Sequence, residues 1–129
     1  MIRVSVPATS ANLGPGFDTL GVALELRNVI EMDESGVDDV VIEVEGAGAG
    51  ALENPAQNMV YQAARQVFAR LGYAPNGLLI RERVAIPVAR GMGSSAAAIV
   101  GGLVAANALV AQMTGRPGLD RAELLRMAV

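Results

Sequence analysis

The chain has 129 residues, 10 basic and 13 acidic side chains for a net charge of −3, and an apolar fraction of 52%. That length allows one moderate core; the arginines are scattered, and 3% aromatics leave no platforms for stacking bases, so nothing points to nucleic-acid binding. Histidine and cysteine are absent, which excludes disulfides, thiolate or imidazole metal sites and a Ser-His-Asp triad within this chain; chemistry rests on carboxylates, hydroxyls, amides and backbone dipoles.

Ile2, Val4 and Val6 alternate with Arg3 and Ser5, the period of a half-buried strand that Pro7 ends. This start lacks the apolar core of a signal peptide, and with the missing cysteines it fits a cytoplasmic protein. Residues 8–18, Ala-Thr-Ser-Ala-Asn-Leu-Gly-Pro-Gly-Phe-Asp, are too rich in Gly, Pro and small polar residues for regular structure. The loop places an amide, Asn12, and a carboxylate, Asp18, beside a strand, where residues for a polar ligand commonly sit.

Across residues 21–32 apolar positions alternate through Val22, Leu24 and Leu26 and then shift phase to Val29, as in a bent or bulged strand. A turn at 33–36 leads to a second alternation, Val40, Ile42 and Val44, and then to the Gly-Ala loop of residues 46–50. After Asn54-Pro55, the spacing of Val60, Ala64, Val67, Phe68 and Leu71 predicts an amphipathic core helix stopped by Gly72. Asn58, at its beginning, is either an N-cap or a ligand contact. Residues 77–86 read as a strand through Leu78, Ile80 and Val84.

That strand delivers the chain to Pro87-Val88-Ala89-Arg90-Gly91-Met92-Gly93-Ser94-Ser95-Ala96-Ala97, a Gly-rich turn opening a long Ala-rich helix. Gly91 and Gly93 permit a tight bend and close backbone approach, and the helix start offers free N–H groups and the positive end of its dipole, together an anion site. The hydroxyls of Ser94 and Ser95 can cap the helix, donate to phosphate oxygens or reach a phosphate-bound metal. It is not a Walker A loop, which needs a lysine, because all ten basic residues are arginine. Nor is it the G-x-G-x-x-G fingerprint, because Ala96 stands where the third glycine belongs and no parallel βαβ pattern is legible.

The apolar run from 96 to 111 contains Gly101, Gly102 and Asn107 and is short of the roughly 20 residues a bilayer span needs, so it reads as a buried core helix with no membrane role. Its small residues predict very close packing on the sheet or a neighbouring helix. It stops at Thr114-Gly115-Arg116-Pro117, and Asp120-Arg121-Ala122-Glu123 is a capping box that opens a last helix. The whole reads as α+β with a mixed or antiparallel sheet.

Residues 87–97 match the P-x-x-x-G-[LM]-G-S-S-A-A signature of the GHMP small-molecule kinases at every defined position, and the chain resembles that family. The resemblance implies that Pro87 through Ala97 cradle the phosphates of ATP, that Ser95 helps hold Mg²⁺, and that Asn58 lies near the adenine. Residues 6–21 resemble the P-A-[ST]-[ST]-A-N-L-G-P-G-F-D signature of the homoserine-phosphorylating members, which implies that Asn12 and Asp18 line an L-homoserine pocket with Asp18 facing the substrate ammonium. A mevalonate-like or sugar kinase, or a non-catalytic nucleotide-binding fragment, is the alternative. By the same resemblance residues 1–129 are the ATP- and homoserine-binding N-terminal portion of the fold. The C-terminal domain, with an acidic metal ligand and substrate-carboxylate arginines, lies beyond it, so the chain alone is expected to be inactive; a homodimer is compatible. No catalytic base is assigned within this portion.

Overall fold

The computed structural model describes residues 1–7, 27–46, 53–85 and 94–128, the side chains of Ser94 and Ser95 excepted. Four strands follow from the alternating segments: β1 Ile2–Pro7, β2 Arg27–Asp33, β3 Val40–Gly46 and β4 Leu78–Val84. They form one sheet in the order β1-β2-β4-β3, with β1/β2 and β2/β4 antiparallel and β3/β4 parallel. Among the described residues three α-helices accompany them: α1 Met59–Leu71, α2 Ser94–Thr114 and α3 Arg121–Met127. The fold is α+β with a mixed sheet.

The mixed sheet is as expected, and the parallel pair corrects one point only, that no βαβ pattern is legible, because β3, α1 and β4 form such a unit. Parallel strands covered on both faces appear as continuous apolar runs, whereas these alternate because one face of the sheet meets solvent. On that outer face Arg3, Glu31, Arg81 and Glu43 stand in one row across all four strands. Arg81 Nε lies 2.8 Å from Glu43 Oε1, and Arg3 Nη1 lies 3.9 Å from Glu31 Oε2. Cross-strand pairs of opposite charge favour this register, although each exposed pair adds little stability.

The inner face carries Val6, Ile30, Met32, Ile42, Leu78 and Ile80, all buried. In β2 the buried positions are Asn28, Ile30 and Met32, while Val29 is half-buried on the opposite face. Asn28 therefore occupies a core-facing position in phase with Ile30 and Met32, and residues 21–26, from which a phase shift is expected, lie outside the described residues.

α1 starts where Asn58 accepts a hydrogen bond from the Tyr61 N–H (2.8 Å) and stops where Gly72 takes φ 65°. The left-handed conformation costs glycine nothing and lets its N–H bond the last carbonyls of the helix. α2 is long and apolar enough, by length and composition alone, to cross a membrane. Here it packs on β1, β2 and α1, burying Ala97, Leu103, Ala105, Ala106, Leu109 and Val110, as a core helix does. Its paired glycines serve both contacts: Gly101 faces Ile30 and Val6 of the sheet, and Gly102 faces Val60 and Ala63 of α1. Asp120 caps α3 through the Glu123 N–H (2.9 Å), while the Glu123 carboxylate turns outward to Arg70 and Arg126.

Candidate active site

The alternation in β4 points Leu78, Ile80, Glu82 and Val84 inward, so a carboxylate enters an otherwise apolar face. Glu82 stands in one row with Val4, Ile30 and Val44 and is only 8% exposed. A buried charge without a partner is strongly unfavourable. Its partner is Asn58, 1% exposed, whose Nδ2 donates to Glu82 Oε2 at 2.5 Å while its Oδ1 caps α1. The Asn58 amide is thereby fixed in orientation, oxygen toward the helix and nitrogen toward β4. Burial pushes the Glu82 carboxyl above the usual carboxylate range, and the Asn58 hydrogen bond opposes that rise.

One row away on the inner face, Asn28 Oδ1 accepts from the Ala85 N–H at 3.0 Å. Asn28, Asn58 and Glu82 are the buried polar side chains among the described residues, and two of their hydrogen bonds end on residues 82 and 85. Directly after Ala85 the chain enters the Gly-rich stretch, which leads into α2 at Ser94. Glu82 and Asn28 are absent from the sequence-derived set of site residues. The signal that marks them is parity: each is a polar residue at the apolar phase of a strand.

Of the predicted site residues, Asn58 is described in full; it holds the N-cap position and the contact with Glu82. Ala96 is exposed and Ala97 fully buried in the first turn of α2. Asn12, Asp18, Pro87, Val88, Ala89, Arg90, Gly91, Met92 and Gly93 lie outside the described residues, as do the side chains of Ser94 and Ser95. A broad depression also opens on the outer face among Arg3, Glu31, Glu43, Arg81 and Arg83. Its exposed acidic and basic groups pair with one another, and Glu82 also contributes to its lining. Among the described residues no cluster of three acidic side chains could hold a metal ion.

The described architecture is a mixed four-stranded sheet backed by two close-packed helices, with a Gly-rich stretch of sequence between β4 and α2. Residues 58–129 match the GHMP kinases N terminal domain, and the chain belongs to that family. Along its full length it is 88% identical to a homoserine kinase of Symbiobacterium thermophilum, of which it covers 40%. It is 49% identical over 128 residues, 99% of the chain, to that of Carboxydothermus hydrogenoformans, again covering 40% of the relative. The chain thus spans about two fifths of the length of these curated relatives. Among solved structures it resembles a homoserine kinase from Cytophaga hutchinsonii, with TM-score 0.73 and 26% identity over 98% of this chain and 39% of that one. A mevalonate kinase from Methanococcus jannaschii, at TM-score 0.69 and 18% identity over 98% of this chain and 44% of that one, shares the fold alone.

Proposed function

We propose that this chain is the ATP- and substrate-binding N-terminal portion of an ATP:L-homoserine O-phosphotransferase, which forms O-phospho-L-homoserine for threonine biosynthesis. The observation that carries this reading is the 88% identity, unbroken along the chain, with a homoserine kinase. The mevalonate kinases share the architecture at much lower identity, so the acceptor is read from the loop of residues 6–21 and not from the fold.

In this reading Pro87 to Gly93 and the amides at the start of α2 cradle the ATP phosphates, with Ser94 on a phosphate oxygen and Asn58 near the adenine. Such a site works mainly by positioning and by stabilising charge on the transferring group, for which backbone N–H groups and a helix N-terminus suffice. Asn12 and Asp18 hold homoserine, with Asp18 opposite its ammonium. In this reading Ser95 would hold Mg²⁺ through its hydroxyl, a hard oxygen ligand of the kind that ion takes. When bound, it neutralises phosphate charge. The protein acts in the cytoplasm on these two small molecules, and a homodimer is compatible with the reading; nucleic acid and membrane have no part in it.

The test is an ADP-release assay on the protein completed to the length of its relatives, with homoserine, mevalonate and a sugar as acceptors. Homoserine is expected to be the best acceptor by kcat/KM. Faster transfer to either rival would overturn the assignment of the acceptor while leaving the family intact.

A further inference from the structure

We propose that Glu82 and Asn28 are positioning residues for the nucleotide: from the inner face of the sheet they fix the start of α1 and the end of β4, the two described elements that flank the nucleotide site. The proposal rests on the reading above, in which Asn58 and the stretch after Ala85 meet ATP.

The argument begins with cost. A carboxylate in a row with Val4, Ile30 and Val44 is a poor choice for stability, because an apolar residue of similar size in such a place is often neutral or stabilising. Asn28 likewise interrupts the inner row between Val6, its cross-strand neighbour, and the end of β4. Polar groups placed in a core at such cost specify geometry when every one of them is hydrogen-bonded, and no buried side-chain N or O among the described residues lacks a partner.

Geometry shows what is specified. Glu82 accepts from Asn58 Nδ2 at 2.5 Å, so it selects one of the two amide orientations that shape alone would allow. The Tyr61 N–H, 2.8 Å from Asn58 Oδ1, selects the same one from the other side. Asn28 holds the Ala85 N–H at 3.0 Å, one residue past the last residue of β4, where the ladder no longer supplies an acceptor. The partners are 24 and 57 residues apart in sequence, so neither bond is a local turn contact. Together they tie β2, β4 and α1 at one end of the sheet. A site that binds by preorganised amides is sensitive to such ties, because displacement of the donors weakens every contact they make.

The experiment uses the full-length kinase and measures the affinity of a non-hydrolysable ATP analogue by calorimetry, the KM for ATP and homoserine, and the thermal unfolding midpoint. Glu82→Leu and Asn28→Leu are each expected to weaken the analogue and raise the KM for ATP about tenfold, with the homoserine KM changed less than about twofold. Glu82→Gln, which keeps an acceptor for Asn58, is expected to restore nucleotide affinity to near the parent value. The two leucine variants sit on different strands, so a folding failure of one leaves the other to decide. Unchanged ATP affinity with a lowered unfolding midpoint would reduce both residues to structural roles and overturn the proposal, as would equal losses for both substrates. Gly93→Val separates the underlying reading. If it leaves ATP affinity intact, the phosphates are not held by the Gly-rich stretch and both readings fall; if it abolishes binding while the leucine variants bind normally, only the positioning role falls.

Discussion

Gly102 lies so close to Val60 that a methyl group added to it would stand 2.5 Å from the Val60 carbonyl oxygen and 2.9 Å from Ala63 Cβ. A backbone carbonyl in α1 cannot turn aside, so the two helices would have to separate. Gly102→Ala should therefore destabilise by about 1–3 kcal/mol, the scale of an overpacked core, even though alanine gains up to about 1 kcal/mol in helix propensity. At Gly101 the added methyl meets mainly Ile30 Cδ1, the end of a flexible side chain, so Gly101→Ala should cost less. Urea unfolding of the two variants checks the order, and a milder effect at Gly102 would contradict the packing.

Asn107 makes a paired contact with the loop before α3: its Nδ2 donates to the Leu119 carbonyl at 3.0 Å, and the Leu119 N–H donates to its Oδ1 at 2.7 Å. Gly118 is required beside it, since a Cβ there would fall 2.2 Å from Asn107 Oδ1. Asn107→Leu keeps the volume but strands both backbone groups in a half-buried place, and should cost about 1–3 kcal/mol. Amide exchange at Leu119 should accelerate along with the loss of stability; unchanged protection there would show that the loop is held by other contacts.

How much of this was legible in the sequence depended on how local each cause is. α1 could be bounded because Asn58, the spacing of Val60, Ala64, Val67 and Phe68, and Gly72 lie within one short segment. The close approach of α2 followed from Gly101 and Gly102, though which neighbour each would meet did not. The βαβ unit was hidden because Arg81, Arg83, Glu43 and Glu45 give β3 and β4 the alternation of antiparallel strands. Glu82 and Asn28 escaped for a different reason: their partners are 24 and 57 residues away, and a sequence pattern cannot tell an inward carboxylate with a partner from an error in phase. The two motifs from which the substrates are proposed were readable as resemblance, and their loops lie outside the described residues, so the roles of Asp18 and Ser95 stand on sequence.

Glu82 also makes a statement about pH. Burial raises its carboxyl above the ordinary range, against the pull of the Asn58 hydrogen bond, so the folded protein holds this proton more tightly than the unfolded chain. The stabilisation from this group is complete below the unfolded carboxylate value of about 4.3 and is lost as pH rises through the higher folded value. Relative to Glu82→Gln, the parent should lose stability across that window and then hold a constant difference at higher pH. Unfolding midpoints of both proteins over a pH series measure it, and a pH-independent difference would mean that Glu82 titrates as an ordinary carboxyl.

Under the proposed function, the two motifs predict opposite kinetic signatures in the full-length protein. Ser95, at the start of α2, is proposed to act on the metal and the transferring phosphoryl group, so Ser95→Ala should lower kcat by about 10²-fold or more and leave the homoserine KM little changed. Asp18 is proposed to face the substrate ammonium. Asp18→Asn keeps the shape and removes the charge, so homoserine binding should weaken by roughly 1.5–3 kcal/mol, the scale of a charge-assisted hydrogen bond, with the KM for ATP unchanged. An acceptor alcohol without the amino group should be indifferent to Asp18→Asn, because there is no ammonium for the charge to meet. Parallel kinetics with homoserine and such an analogue decide the matter. If the substitution penalises both acceptors equally, Asp18 supports its loop and does not read the substrate, and the recognition of homoserine must be sought elsewhere in the protein.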